Sequence, residues 1–317
     1  MCKERNSILR KSSMYVAAVD LGATNLRAGI VDKKGTIKAF TQTDVSGLTS
    51  GDEIRNEICM MIGELTKNTG ISPKAIGIST AGPVDLKTGS VVGSPNMKCE
   101  TIFLSDPLQE RFGIPVRMMT DCKAGSLGEY HFGGAKDAGT LVYLTFSTGI
   151  GAGVLEQGRL LCGANGNASE AGHFLVDTTW DLPCGCGGTG HWEAYASGTG
   201  IPNFFRAWSR ERIEFDPESK LNAGQILYAA EQGNPLFISF CDELAKINGR
   251  GLSSIIAAYN PDLIIMDGPI ARNYPALIVK KMTGYVDRYL PAPKIRISTL
   301  EGRAPLLGAS AAAFNAL

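Results

Sequence analysis

Residues 16–32, VAAVDLGATNLRAGIVD, constrain the fold more than any other stretch of this chain. Val16, Ala17, Ala18 and Val19 make an unbroken apolar run that predicts a short buried strand, with Asp20 at its end. Gly22 and Ala23 then form a tight turn of very small residues, and residues 26–31 leave as a second strand. With so little side-chain bulk at the turn, backbone N–H groups near Thr24 and Asn25 can reach anionic oxygens such as those of a phosphate. Asp20 would hold a divalent cation beside them, most simply through water, because Mg²⁺ keeps several of its waters. An ordinary hairpin with a glycine turn satisfies the same pattern, so the reading needs a second observation.

Residues 144–158, LTFSTGIGAGVLEQG, supply one. Thr24 answers to Thr148, Ala28-Gly29 to Ala152-Gly153, and Ile30-Val31-Asp32 to Val154-Leu155-Glu156. Both copies run strand, small-residue loop, strand, acid and glycine turn. The pair predicts an α/β protein of two similar domains, mixed sheets flanked by helices, with a ligand cleft between them. Each domain then offers a phosphate loop to one nucleotide, Thr148, Gly149 and Gly151 belonging to the second. Two unrelated hairpins remain the competing reading.

The 317 residues, 44% hydrophobic and 20% charged, suffice for two such domains. Lys plus Arg and Asp plus Glu balance at 31 each, which argues against a nucleic-acid or anionic-membrane surface. No apolar run approaches the roughly 18–20 residues that cross a bilayer, and residues 1–13 are polar and basic without an apolar signal core, so a cytoplasmic protein is expected. Eight cysteines are too sparse for a disulfide scaffold.

Along the chain, residues 36–43 predict a third strand and residues 50–68 a helix with Ile54, Ile58, Met61, Ile62 and Leu65 on one face, stopped by Gly70. A buried strand over 74–80 runs into Ala81-Gly82-Pro83-Val84, and Asn96 follows in the loop GSPN, either as a turn residue or as a ligand contact. A short helix opens at Ser105 and ends near Gly113. The strand over 115–120 delivers Thr120 and Asp121 to its carboxyl end, where ligand chemistry sits in α/β sheets; Asp121 serves equally well as the N-cap of the next helix. Residues 193–260 read as mostly helical, with a long helix over 235–259. A strand over 262–267 enters Gly268-Pro269, followed by a helix to about residue 289, a strand over 294–299 and a terminal helix from Pro305.

Two of the three histidines flank the one close cysteine pair. His173, Cys184, Cys186 and His191 offer four nitrogen or sulfur ligands, linked by glycines 185, 187, 188 and 190, and suit tetrahedral Zn²⁺. With all four positions filled by protein, such a site is structural rather than hydrolytic. Small buried cysteines without a metal are the alternative.

Together these stretches resemble the ROK family of sugar kinases and related repressors, within the actin-like, hexokinase-like ATPase superfamily. DLGATN, STAGPVD followed by SPN, STGIGAG, EAGH and CGCGGTGHWE carry the resemblance from about residue 16 to 308. It implies that the first loop (Asp20, Gly22, Ala23, Thr24, Asn25) and the second bind ATP and Mg²⁺, with Gly268 near the adenosine. It implies Asp121 as the base and Gly82, Asn96, Thr120, Glu170, His173 and Glu193 as sugar contacts, and a homodimer or homotetramer as the assembly. The domains expected are 14–119 with 305–317, and 120–304. Thr120 replaces a usual Asn, His191 a usual third cysteine, and Gly268-Pro269 a usual Gly-Gly.

The reaction expected is ATP-dependent phosphorylation of a sugar 6-hydroxyl. The Thr120 departure puts N-acetylmannosamine first, glucose next and N-acetylglucosamine third. A sugar-sensing repressor is the reading of another class. It is disfavoured by neutral charge and by about 13 residues before the first strand, too few for a DNA-binding module.

Overall fold

The computed structural model describes residues 14–94, 97–210 and 220–317. In chain order it runs β1 (Tyr15–Leu21), β2 (Asn25–Asp32), β3 (Ile37–Asp44), α1 (Gly51–Thr69), β4 (Ile76–Thr80), β5 (Val84–Asp85), β6 (Ser90–Val92), β7 (Thr101–Phe103), α2 (Ser105–Phe112) and β8 (Val116–Thr120). It continues with α3 (Asp121–Phe132), β9 (Thr140–Phe146), β10 (Ile150–Glu156), β11 (Arg159–Leu160), α4 (Glu193–Ala196), α5 (Gly200–Ser209), α6 (Ala223–Glu231) and α7 (Pro235–Tyr259). Last come β12 (Leu263–Asp267), α8 (Pro269–Asn273), β13 (Lys294–Ile297) and α9 (Ala304–Phe314).

The expected duplication is realised as two five-stranded sheets of one design. Their orders are β3-β2-β1-β4-β8 and β11-β10-β9-β12-β13. In each, three strands form an antiparallel meander and two more add in parallel beside the first. β1 and β4 are buried on nearly every residue because the sheet carries helices on its faces, which is why they read as apolar runs. β3, the edge strand, alternates intermediate and exposed residues.

α1 forms where its ends are satisfied: the Ser50 side chain accepts from the Glu53 N–H while Glu53 reaches back to the Ser50 N–H, and Gly70 closes it in a left-handed conformation. Its face of Ile54, Ile58, Met61, Ile62 and Leu65 packs into the core of the first sheet. The second sheet's core gathers around Trp192, Tyr195, Phe204 and Phe240 with α4, α5 and α7, so the aromatic cluster Phe204, Phe205 and Trp208 is core. α9 packs on β1, β4 and β8 of the first sheet, α3 on β9 and β10 of the second, and the two helices lie against each other.

Two segments depart from expectation. The single helix expected to residue 289 is broken into α8, a π-helical turn at Ala276–Lys280 and a 3₁₀ turn at Thr283–Tyr285, because Pro275 has no N–H to continue α8. Residues 84–103 hold a small sheet, β5-β6-β7, whose strands are too short to show a period. Among the described residues no helix is long and apolar enough to cross a membrane.

Candidate active site

The parallel register of the first sheet sets three strand ends side by side. Asp20 pairs with Ser79 and Ser79 with Met119; one residue on, Leu21, Thr80 and Thr120 align. Asp20 is buried, accepts from the Ser79 hydroxyl at 2.8 Å, and has Arg27 at 3.5 Å from its other oxygen. Burial pushes its carboxyl up to about 6 against the relief from Ser79 and Arg27, and the charge of Asp121 adds to the rise. A buried carboxylate so poorly compensated fits a cation beside it.

Asp121 is not the N-cap. Thr120 occupies that position, and Asp121 begins α3 with its carboxylate accepting the Cys122 N–H at 2.7 Å. Burial raises its carboxyl above the ordinary value, the Cys122 bonds oppose the rise, and Glu170 and Lys123 add smaller effects of opposite sign. Glu170 is likewise raised by burial, with Lys123 and His173 lowering it and Glu193 raising it. Glu193, at the start of α4, accepts the Ile150 N–H at 2.9 Å. A Cβ built on Gly149 would lie 2.3 Å from that same carboxylate oxygen, so a side chain there would displace the Glu193 carboxylate. A Cβ on Gly151 would lie 2.3 Å from the Cys122 sulfur. Asp20, Asp121, Glu170, Glu193 and the second loop therefore form one continuous chain of neighbours.

The second loop is one residue shorter than the first: β1 and β2 close on Leu21–Leu26, β9 and β10 on Phe146–Ile150. Thr145 thus stands where the first sheet has Asp20, and only the first loop carries an acid. The carbonyl of Thr148 accepts from the Thr199 hydroxyl at 3.1 Å, and Gly198 donates to the Ser147 carbonyl at 2.7 Å. Gly268 has φ 88 and lies so close to Phe146 that a Cβ would sit 2.2 Å from its carbonyl oxygen. Gly22, Ala23 and Thr24 line a cavity of about 240 Å³ with Val45, Met97 and Lys98. Asn25 receives the Gln42 side chain at 2.8 Å. A Cβ on Gly82 would come 3.0 Å from the Thr120 methyl. Asn96 lies outside the described residues.

His173, Cys184, Cys186 and His191 bring their ligand atoms within 4.8 Å of one another. The Cys184 sulfur faces His173 Nδ1 at 3.8 Å and the Cys186 sulfur faces His191 Nδ1 at 3.2 Å. Zn–N and Zn–S bonds of about 2.0–2.3 Å set tetrahedral ligands roughly 3.3–3.8 Å apart, so this donor set fits Zn²⁺ with a small contraction. Because both histidines turn Nδ1 inward, Nε2 of His173 is left for another partner.

Several residues here have no sequence signature. Lys123 is buried within the first turn of α3, and Asp267 is buried at the end of β12, accepting from the Tyr143 hydroxyl at 2.8 Å with Arg272 at 3.2 Å. Asn167 accepts the Val84 N–H at 3.1 Å and donates to the Val84 carbonyl at 3.0 Å, tying the loop before Glu170 to β5. A lysine or asparagine among small residues reads as solvated surface, and only the tertiary contact reveals otherwise.

The sequence model of the ROK family matches residues 16–315. The chain belongs to the ROK family. Among its relatives, the glucokinase of Pyrobaculum calidifontis is 34% identical over 301 residues, 94% of each chain. The glucokinase of Aeropyrum pernix is 34% identical over 87% of this chain and 88% of its own. The crystal structure of a ROK family glucokinase from Streptomyces griseus, in complex with glucose and AMPPNP, superposes with a TM-score of 0.79 at 28% identity. That match covers 95% of this chain and 99% of the other.

Proposed function

We propose that this protein is an ATP-dependent sugar kinase that transfers the γ-phosphoryl group to the 6-hydroxyl of glucose. The observation that carries the reading is the buried Asp121 directly after β8, at the start of α3, where it feels the charges of both Asp20 and Glu170. The order of sugars expected from Thr120 is thereby changed. The 34%-identical relatives are glucokinases, and glucose moves ahead of N-acetylmannosamine on their weight.

A sugar hydroxyl is far too weak an acid for a carboxylate to ionise beforehand. Asp121 instead orients the hydroxyl and takes its proton late, as the oxygen bonds to phosphorus and the ADP oxygen departs. Glu170, His173 through Nε2, Glu193 and the loop at Gly82 and Asn96 hold the remaining hydroxyls. The backbone of residues 22–25 and 147–151 cradles the phosphates, and Gly268 leaves room for the adenosine. Mg²⁺ held through Asp20 supplies charge neutralisation at the phosphates, and Zn²⁺ on the His₂Cys₂ set supplies rigidity to the turn that carries His173. Closure of the lobes 14–119 with 305–317 and 120–304 excludes water that would hydrolyse ATP. We read the enzyme as cytoplasmic and as a homodimer or homotetramer, which light scattering tests directly.

ADP release measured across glucose, N-acetylmannosamine and N-acetylglucosamine tests the reading, with glucose expected to give the highest kcat/KM. Asp121→Asn is expected to keep the fold and glucose binding and to lose at least ~100-fold in kcat, the scale of a general base. Near-normal turnover of that variant would remove Asp121 from its role.

A further inference from the structure

Lys123 stands where a lysine is costly twice over. Its side chain is buried at 2% exposure, and it lies in the first turn of α3, where the helix dipole disfavours a cation. Its ammonium donates to the Ala168 carbonyl at 2.8 Å and lies 3.4 Å from the Thr120 hydroxyl. Neither neutral acceptor repays the burial of a charge. Its charge lowers the Asp121 and Glu170 carboxyls against their burial.

Around Asp121 the facing groups are Glu170 from the loop, Asp20 from β1, Tyr143 from β9, and Cys122 and Lys123 on its own helix. Lys123 is the cation among these; Arg27 serves Asp20 instead. The Ala168 carbonyl that Lys123 holds immediately precedes Ser169, a non-glycine residue at φ 70, and Ser169 immediately precedes Glu170. One ammonium therefore grips the strained turn that aims Glu170 and sits within the field of the base.

We propose that Lys123 is a positioning residue of the sugar site: by holding the Ala168 carbonyl it fixes the turn that presents Glu170 to the sugar. The inference rests on the kinase reading and deepens it. Without the ammonium that turn loses its anchor, so the contact Glu170 makes with the sugar weakens while the phosphate loops keep theirs.

The test compares wild type, Lys123→Met and Lys123→Arg by separate KM values for glucose and ATP. Methionine fills the volume without a donor for Ala168, and arginine keeps a donor and the charge. For K123M the glucose KM is expected to rise about tenfold while the ATP KM holds, the scale of one lost hydrogen bond to a charged group. K123R is expected to stay near wild type. A folded K123M with the wild-type glucose KM, or a K123R as impaired as K123M, overturns the proposal. Wild-type turnover separates the two levels of inference: a wild type that phosphorylates no sugar overturns the kinase reading itself.

Discussion

At the scale of single residues, the site works by burying acids that water would otherwise keep ionised. Asp20 shows the consequence most directly, since burial lifts its carboxyl to about 6. A proton and a dication compete for the same carboxylate. Below about pH 6 the proton occupies Asp20, and the Mg²⁺ concentration needed for half-maximal rate is expected to climb as pH falls; above it the requirement is expected to be flat. Titrating Mg²⁺ against initial rate across this range checks it, and a requirement that does not change through pH 6 would separate Asp20 from the cation. The place of Asp20 was legible because it nears the end of a short apolar strand before small residues, whereas local sequence read Asp121 equally as a helix N-cap and only the family resemblance singled it out. Lys123 and Asn167 were not, since what makes them matter is a partner some 45 or 83 positions away.

Among the elements, the segment from His173 to His191 is held by packing of Val176, Trp180 and Leu182 on the second core and by Asp177 with Arg250, and it carries the four candidate ligands. It has no long helix or strand, only a 3₁₀ turn and isolated bridges such as Leu175 with His191 and Pro183 with Thr189. On the proposed function, a structural zinc on the four ligand side chains would add to the order of this glycine-rich stretch, on the order of 10 kcal/mol in such settings. Cys184→Ser is expected to lower zinc content well below one per chain and to raise the glucose KM more than the ATP KM, because His173 loses its anchor while the phosphate loops keep theirs. Metal analysis alongside both KM values checks it, and unchanged zinc with unchanged KM would remove Cys184 from the ligand set. Burial pushes the Cys184 thiol up to about 11 without a metal, so zinc uptake must release a proton and weaken as pH falls. The ligand cluster was visible in sequence because its residue types are rare and close together. β5, β6 and β7 were invisible for the opposite reason: two or three residues per strand leave no alternation to read.

Over the whole molecule, the two sheets are joined through α3 and α9, and their approach is set by glycine. A Cβ on Gly308 would lie 1.6 Å from the Ala124 carbonyl oxygen and 2.9 Å from the Gly128 nitrogen, and one on Gly128 would lie 2.2 Å from the Ala304 carbonyl. The sequence announced the duplicated sheets through the repeated strand-loop-strand, but gave no hint that two helices distant in the chain must touch backbone to backbone. Glycine inside a helix normally weakens it by roughly 0.5–1 kcal/mol, so its retention at the crossing has to be repaid by contact. Gly308→Ala is expected to destabilise the protein by about 3 kcal/mol, as overpacking between backbones that cannot yield does. Gly63→Ala on α1, where nothing lies within 4 Å of the new methyl, is expected to stabilise it by roughly 0.5–1 kcal/mol. Denaturant unfolding of both variants measures the contrast. If alanine at 308 were as benign as alanine at 63, the close crossing of α3 and α9 would not be what joins the two sheets, and their relative position would have to be held by the Asn167–Val84 contact across the loops instead.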